Sequence, residues 1–195
     1  MQIAKIDELR KMLMLSNINH QTNILNEITL KDAHIYCKIN FIPGGVAGSL
    51  LEHYVCTKGC HKRNSSSDCI GDFTTAQDEQ IELKCSNGGK THKMFNFVQI
   101  RPNHKCSYLL TAYYLSEENV NNEGDLFIFK IPKYEMHKLI FKYGSYAHGT
   151  KLKHGAITMA DIQDEENEKE YALRPKYGDN LWKELLKFRL IYNNI

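Results

Sequence analysis

Two carboxylates and an amine stand close together in the stretch from Cys69 to Ser86, where Gly71-Asp72 is followed by Glu82-Leu83-Lys84. Residues 69–74 and 80–86 have strand character, and Ala76, Gln77 and Asp78 between them suit a hairpin turn. In the second strand, alternation puts Glu82 and Lys84 on one face and Ile81, Leu83 and Cys85 on the other. Antiparallel pairing across the turn then brings Asp72 to the face of Glu82. Two close carboxylates repel each other, and a hard, oxygen-preferring divalent cation such as magnesium relieves that repulsion while keeping water positions open. A metal held there polarises a phosphodiester oxygen and acidifies bound water, and Lys84 can orient that water or offset the charge that develops on phosphorus. Alone, the pattern is weak in a chain with 25% charged residues. Solvated acid and base pairs on an exposed hairpin would look the same and contribute little.

The surrounding segments add a resemblance. Gly71-Asp72 with Glu82-Leu83-Lys84 resembles the metal motif of the PD-(D/E)XK nuclease superfamily, and within it the type II restriction endonucleases, with Gly71 where proline often stands. The motif is followed by Cys85-Ser86-Asn87-Gly88-Gly89-Lys90, by Phe95 to Pro102, and by an apolar strand from Tyr108 to Leu115. This order of strand, loop, helix and strand is similar to that of small restriction enzymes, over roughly Gly44 to Thr150. The resemblance implies an α/β fold, an α+β mixed sheet flanked by helices with a restriction-endonuclease-like αβββαβ core. It also implies Mg2+-dependent hydrolysis of double-stranded DNA at a short recognition sequence. Asp72 and Glu82 would hold the metal with Leu83 in its shell, Lys84 would be catalytic, and Glu52 would be the upstream acidic helix residue. The first core strand is poorly marked in Lys58 to Ser67. A homodimer is expected, because a two-fold protein matches a palindromic site, and a cognate DNA methyltransferase would be its companion. Two alternatives stay open: a structure-directed repair or mobile-element nuclease of the same fold, and a DNA-binding subunit that needs a partner for cleavage.

The 195 residues are most simply one domain, 1–195, with an N-terminal helical segment over 1–43, and 42% hydrophobic residues suffice for a core. Neither a membrane-crossing run nor a signal peptide is read, so a cytoplasmic protein is expected. Six cysteines are too few for a disulfide scaffold and are read as reduced. Cys56, Cys60, His61 and Cys69 are zinc-type residues without a standard zinc spacing, and packing and loop roles are read for them instead.

Net charge is only +2, but its distribution is uneven. From Leu83 to Ser116 there is no acidic residue, while Lys84, Lys90, Lys93, Arg101 and Lys105 lie beside His92 and His104. A second basic run holds Lys130, Lys133, Lys138, Lys142, Lys151 and Lys153, opposite the acidic segment Asp161 to Glu170. Phosphate binding would explain this polarity, as would an ordinary solvated face for the second run.

Along the chain, Ile3 to Leu15 has helical apolar spacing, a short helix fits Asn23 to Ile28, and Ala33 to Ile42 reads as extended. Pro43-Gly44-Gly45 precedes a helix expected over Val46 to Cys56 that presents Glu52. The Asn87 to Lys90 turn can bring backbone near a phosphate. Lys93 to Ile100 reads as a helix ended by Pro102, with Gln99 placed to reach a ligand or phosphate and Arg101 at its end. Tyr108 to Leu115 and Asp125 to Ile131 read as buried strands, and Pro132 starts a helix to about Tyr143. Tyr143 to Thr150 resembles a stretch of some restriction enzymes, so that His148 would touch bases or phosphates, or the segment is a turn. Asn180 to Leu190 closes the chain as an amphipathic helix with Trp182, Leu185, Leu186 and Ile191 on its apolar side.

Overall fold

A computed structural model describes residues 28–65, 67–88, 93–115, 124–146 and 157–191. The helices expected over Ile3 to Leu15 and Asn23 to Ile28 lie outside these residues, apart from Ile28, as do Lys90 and His148. The fold is mixed α/β. A five-stranded mixed sheet carries β1 (Lys62–Arg63), β2 (Phe73–Thr74), β3 (Gln80–Asn87), β5 (Ser107–Tyr114) and β6 (Asp125–Ile131) in the spatial order β1-β2-β3-β5-β6. Only the β3–β5 pair is parallel; β1–β2, β2–β3 and β5–β6 are antiparallel. A second, antiparallel sheet is built from β4 (Phe97–Ile100), β8 (Tyr171–Leu173) and β7 (Ser145–Tyr146), with β8 in the middle.

Alternation along β3 and β5 sorts the molecule into two cores. One face of the main sheet carries Phe73, Ile81, Leu83, Leu109 and Ile128 and packs against helices α1 (Leu30–Ile39) and α2 (Gly44–Lys58). The other carries Tyr108, Leu110, Phe127, Phe129 and Ile131. These meet α3 (Lys133–Tyr143), α4 (Met159–Gln163), α5 (Asn180–Leu185) and the buried residues of β4 and β8. The strands over 107–114 and 125–131 and the helix after Pro132 agree with their sequence expectations, and α2 exceeds its expected span by two residues at each end.

Three local expectations are corrected. Ala33 to Ile42 is not extended but mostly helix, because Thr29 and Asp32 form a reciprocal capping box. Thr29 Oγ1 accepts the Asp32 N–H at 3.2 Å and the Asp32 carboxylate accepts the Thr29 N–H at 2.9 Å. Lys93 to Ile100 is not helical: Phe97 pairs with Leu173 and Ile100 with Tyr171, around an irregularity where exposed Gln99 takes a φ of 57°. The connection between the parallel strands β3 and β5 therefore carries a strand of the second sheet where an αβββαβ core would carry a helix. Finally, α5 stops at Leu185 and tightens into a 3₁₀ turn over Leu186–Phe188, so Trp182 and Leu185 are buried while Leu186 and Ile191 are exposed.

Candidate active site

The β2–β3 hairpin forms as expected. Thr75 and Glu79 close the turn, and Asp78 occupies its left-handed position with a φ of 60°. Register pairs Phe73 with Ile81, so that Asp72 lies toward the face of Glu82. Gly71 enters this corner with a φ of +90°, and a Cβ there would stand 2.6 Å from the Ile81 carbonyl oxygen. Proline, held at a φ of about −65°, cannot take that conformation. This backbone therefore requires glycine at 71 and excludes the proline that the resemblance would place there. The close approach lets the Asp72 N–H donate to the Ile81 carbonyl at 2.8 Å and lets Asp72 Oδ2 accept the Leu83 N–H at 2.7 Å.

Glu82 is 4% exposed at the centre of the site. Lys84 Nζ meets its Oε1 at 2.5 Å, and His104 Nδ1 stands 3.4 Å from its Oε2 without a well-directed hydrogen bond. Burial and the Glu82 charge push the Asp72 carboxyl up to about 6, against the Leu83 N–H and the Lys84 ammonium. Burial acts on Glu82 in the same sense, but His104 and Lys84 outweigh it and hold that carboxyl below its ordinary value. The pair is therefore divided, Glu82 being the firmer anion and Asp72 the readier proton carrier.

Asp72, Glu82 and His104 open into a pocket of about 340 Å³ whose wall also includes Glu52, Arg63, Asp68 and Arg101. Glu52 lines it from α2 and is held by Arg63 through Nε at 2.8 Å. Arg101 also lines the pocket and pairs with Glu170. Lys93 is elsewhere, bonded to Asp125 at 2.6 Å and lying over the rings of Tyr114 and Tyr177. The structure thus brings Asp72, Glu82, Lys84, Glu52 and Arg101 to one corner, and leaves Lys93 and Gln99 outside it.

The donor set accommodates a hard cation in part. Asp72 and Glu82 supply oxygens, and the N–H and C=O of an extended residue point to the same edge, so the Leu83 carbonyl shares the edge of the Asp72 carboxylate. Sequence reading did not assign His104 and Cys106 to the site. Together with Glu82 they are buried, and one donor atom from each lies within 4.8 Å of the others. Their His-x-Cys spacing lies in the turn just ahead of an apolar strand, and nothing local in the sequence ties it to Glu82. The zinc-type residues Cys56, Cys60, His61 and Cys69 do not gather. Cys56 is buried against the α2 core, Cys60 and Cys69 are exposed, His61 stacks on Phe73, and all six cysteines are free.

No protein-family model matches the chain, and no curated protein matches it. Among the described residues, no helix is long and apolar enough to cross a membrane.

Proposed function

We propose that this chain is a metal-dependent endonuclease of the PD-(D/E)XK type, which hydrolyses phosphodiester bonds of double-stranded DNA at a short recognition sequence, in the manner of a type II restriction enzyme of the cytoplasm. The observation that carries the reading is the convergence of Asp72, Glu82 and Lys84 where β2 meets β3, with Asp72 and Glu82 in the wall of an open pocket. Asp72, Glu82 and the Leu83 carbonyl would hold Mg2+, which supplies polarisation of the phosphate and an acidified water. Lys84 sets its positive charge against the charge that grows on the phosphoryl oxygens. Arg63 and Arg101 set two guanidinium groups, of the kind that pairs with phosphate, among the pocket's four carboxylates Glu52, Asp68, Asp72 and Glu82. DNA contacts are assigned to Lys90, Lys93, Gln99, Arg101 and His148, and their loss of affinity with salt follows from displaced counterions. A homodimer cutting both strands, with a companion methyltransferase protecting the host's own sites, completes the proposal.

A second reading, a nuclease of the same chemistry that recognises DNA structure, is favoured by one feature. Lys93 and Arg101 already carry acidic partners and offer less charge to a long DNA track. Digestion of a long unmethylated DNA with Mg2+, beside EDTA and the Asp72→Ala and Lys84→Ala variants, separates the two. Sharp bands lost in all controls support site-specific cleavage, and a smear lost in the same controls supports the structure-directed enzyme. Cutting that persists in either variant removes the assignment. We expect Lys84→Ala to lower kcat by at least on the order of 10²–10³-fold, as for other charge-stabilising donors.

A further inference from the structure

We propose that Glu82, His104 and Cys106 form a mixed oxygen, nitrogen and sulfur site for a borderline divalent transition ion of the zinc or cobalt type. The proposal rests on the reading of this pocket as a metal centre and departs from the Mg2+ of that reading in the class of metal it assigns.

Position comes first. Glu82 pairs with Tyr108 in the parallel β3–β5 ladder, so Cys106, two residues before Tyr108, falls on the face of Glu82. The turn that carries His104 is pinned at several points. Its own N–H donates to the Arg101 carbonyl at 3.2 Å, the Lys105 N–H to the Cys69 carbonyl at 2.8 Å, and the Tyr108 hydroxyl to the Arg101 carbonyl at 2.7 Å. His137 Nε2 lies 3.1 Å from the Pro102 carbonyl, closing the turn from α3. The two side chains are therefore presented by a braced backbone on one side of Glu82, while the hairpin holds Asp72 and Lys84 on the other.

A second observation points to a ligand. His104 is 8% exposed, yet its Nδ1 has no hydrogen-bond partner, and a buried polar atom left in this state calls for an explanation. It stands 3.4 Å from Glu82 Oε2, while Lys84 occupies the other carboxylate oxygen. A metal ion bonded to Oε2, Nδ1 and the Cys106 sulfur accounts for the orphaned nitrogen.

Donor chemistry then selects the ion. Magnesium asks for oxygen in an octahedron, whereas imidazole and thiolate suit zinc and its neighbours. Three protein ligands with an opening toward a pocket match the reactive class of zinc site, and both Glu82 and His104 line such a pocket. On binding, the Cys106 S–H bond gives its proton to solvent as the sulfur–metal bond forms, with no change of oxidation state.

The test is equilibrium dialysis and absorption spectroscopy of the full chain, stripped with chelator and titrated with Co2+. We expect one ion per chain and a near-ultraviolet thiolate-to-cobalt charge-transfer band that Zn2+ bleaches. The band should disappear in Cys106→Ser and persist in Cys60→Ser. His104→Gln should weaken Co2+ binding by at least the order of 10–100-fold typical of a lost supporting ligand. Circular dichroism accompanies each variant, and if Cys106→Ser does not fold, His104→Gln with the sulfur intact decides. No band in the parent, or an undiminished band in folded Cys106→Ser or undiminished affinity in His104→Gln, overturns the site. The nuclease reading fails separately: a normal cobalt site with intact DNA under every metal retains the site and removes the nuclease. Full Mg2+-driven cutting by a parent that shows no cobalt band does the reverse.

Discussion

His34 and His104 are both buried beside the β3–β5 ladder, on opposite faces of the sheet, and they are treated in opposite ways. His34 reaches Asn87 Oδ1 through Nδ1 at 2.8 Å and Thr111 Oγ1 through Nε2 at 2.9 Å, so each ring nitrogen is used. Burial lowers its pKa to about 4, and a neutral ring that donates through one nitrogen and accepts through the other suits both partners. His104 keeps an Nδ1 without a hydrogen bond beside the Glu82 carboxylate and the Cys106 thiol. A satisfied polar network fixes the packing of α1 on the sheet, while an unsatisfied one is held ready for something not of the chain.

Acid should break the comparison most strongly. His34 prefers the neutral form when folded, so its contribution is complete above a pH of about 6.5 and is lost as pH falls toward about 4. The drop corresponds to on the order of 3 kcal/mol, at about 1.4 kcal/mol per pKa unit. Denaturant midpoints between those pH values should show it, and a His34→Gln variant should flatten it; an equal slope in both chains would clear His34 of the effect. At neutral pH, His34→Ala should cost about 1–3 kcal/mol because Asn87 and Thr111 are stranded. His104→Ala should stay within about 1 kcal/mol of the parent, since it strands little. Equal losses would erase the distinction between the two rings. Gly71→Ala should cost roughly 1–3 kcal/mol through backbone strain, more than His104→Ala, and should lower cleavage by displacing Asp72. Unchanged melting and cutting would show that the corner can relax.

The hairpin and its acids were legible because everything that forms them is local: a turn, a period of two, and carboxylates placed on one face. The apolar runs of β5 and β6 and the proline-led α3 were readable for similar reasons. Ala33 to Ile42 misled because His34, Tyr36 and Lys38 alternate with Ile35, Cys37 and Ile39, while the deciding signal was the earlier Thr29-x-x-Asp32 cap. Phe97 to Ile100 misled because its partners, Tyr171 and Leu173, are more than sixty residues away in the chain. His104 and Cys106 were out of reach for the same reason, since only the β3–β5 register brings them to Glu82.

Glu82 lies on a seam between a short hairpin and a long crossover, and this has a consequence for the order of assembly. Closing the five residues between β2 and β3 is fast and entropically cheap, whereas the parallel β3–β5 pair must wait for the whole segment from Gly88 to Cys106 to be placed. Asp72 and Glu82 can therefore meet before Cys106 is docked beside them, as a repelling pair relieved by Lys84 of the same hairpin. Completion of the polar corner marks the moment at which the two halves of the sheet have joined.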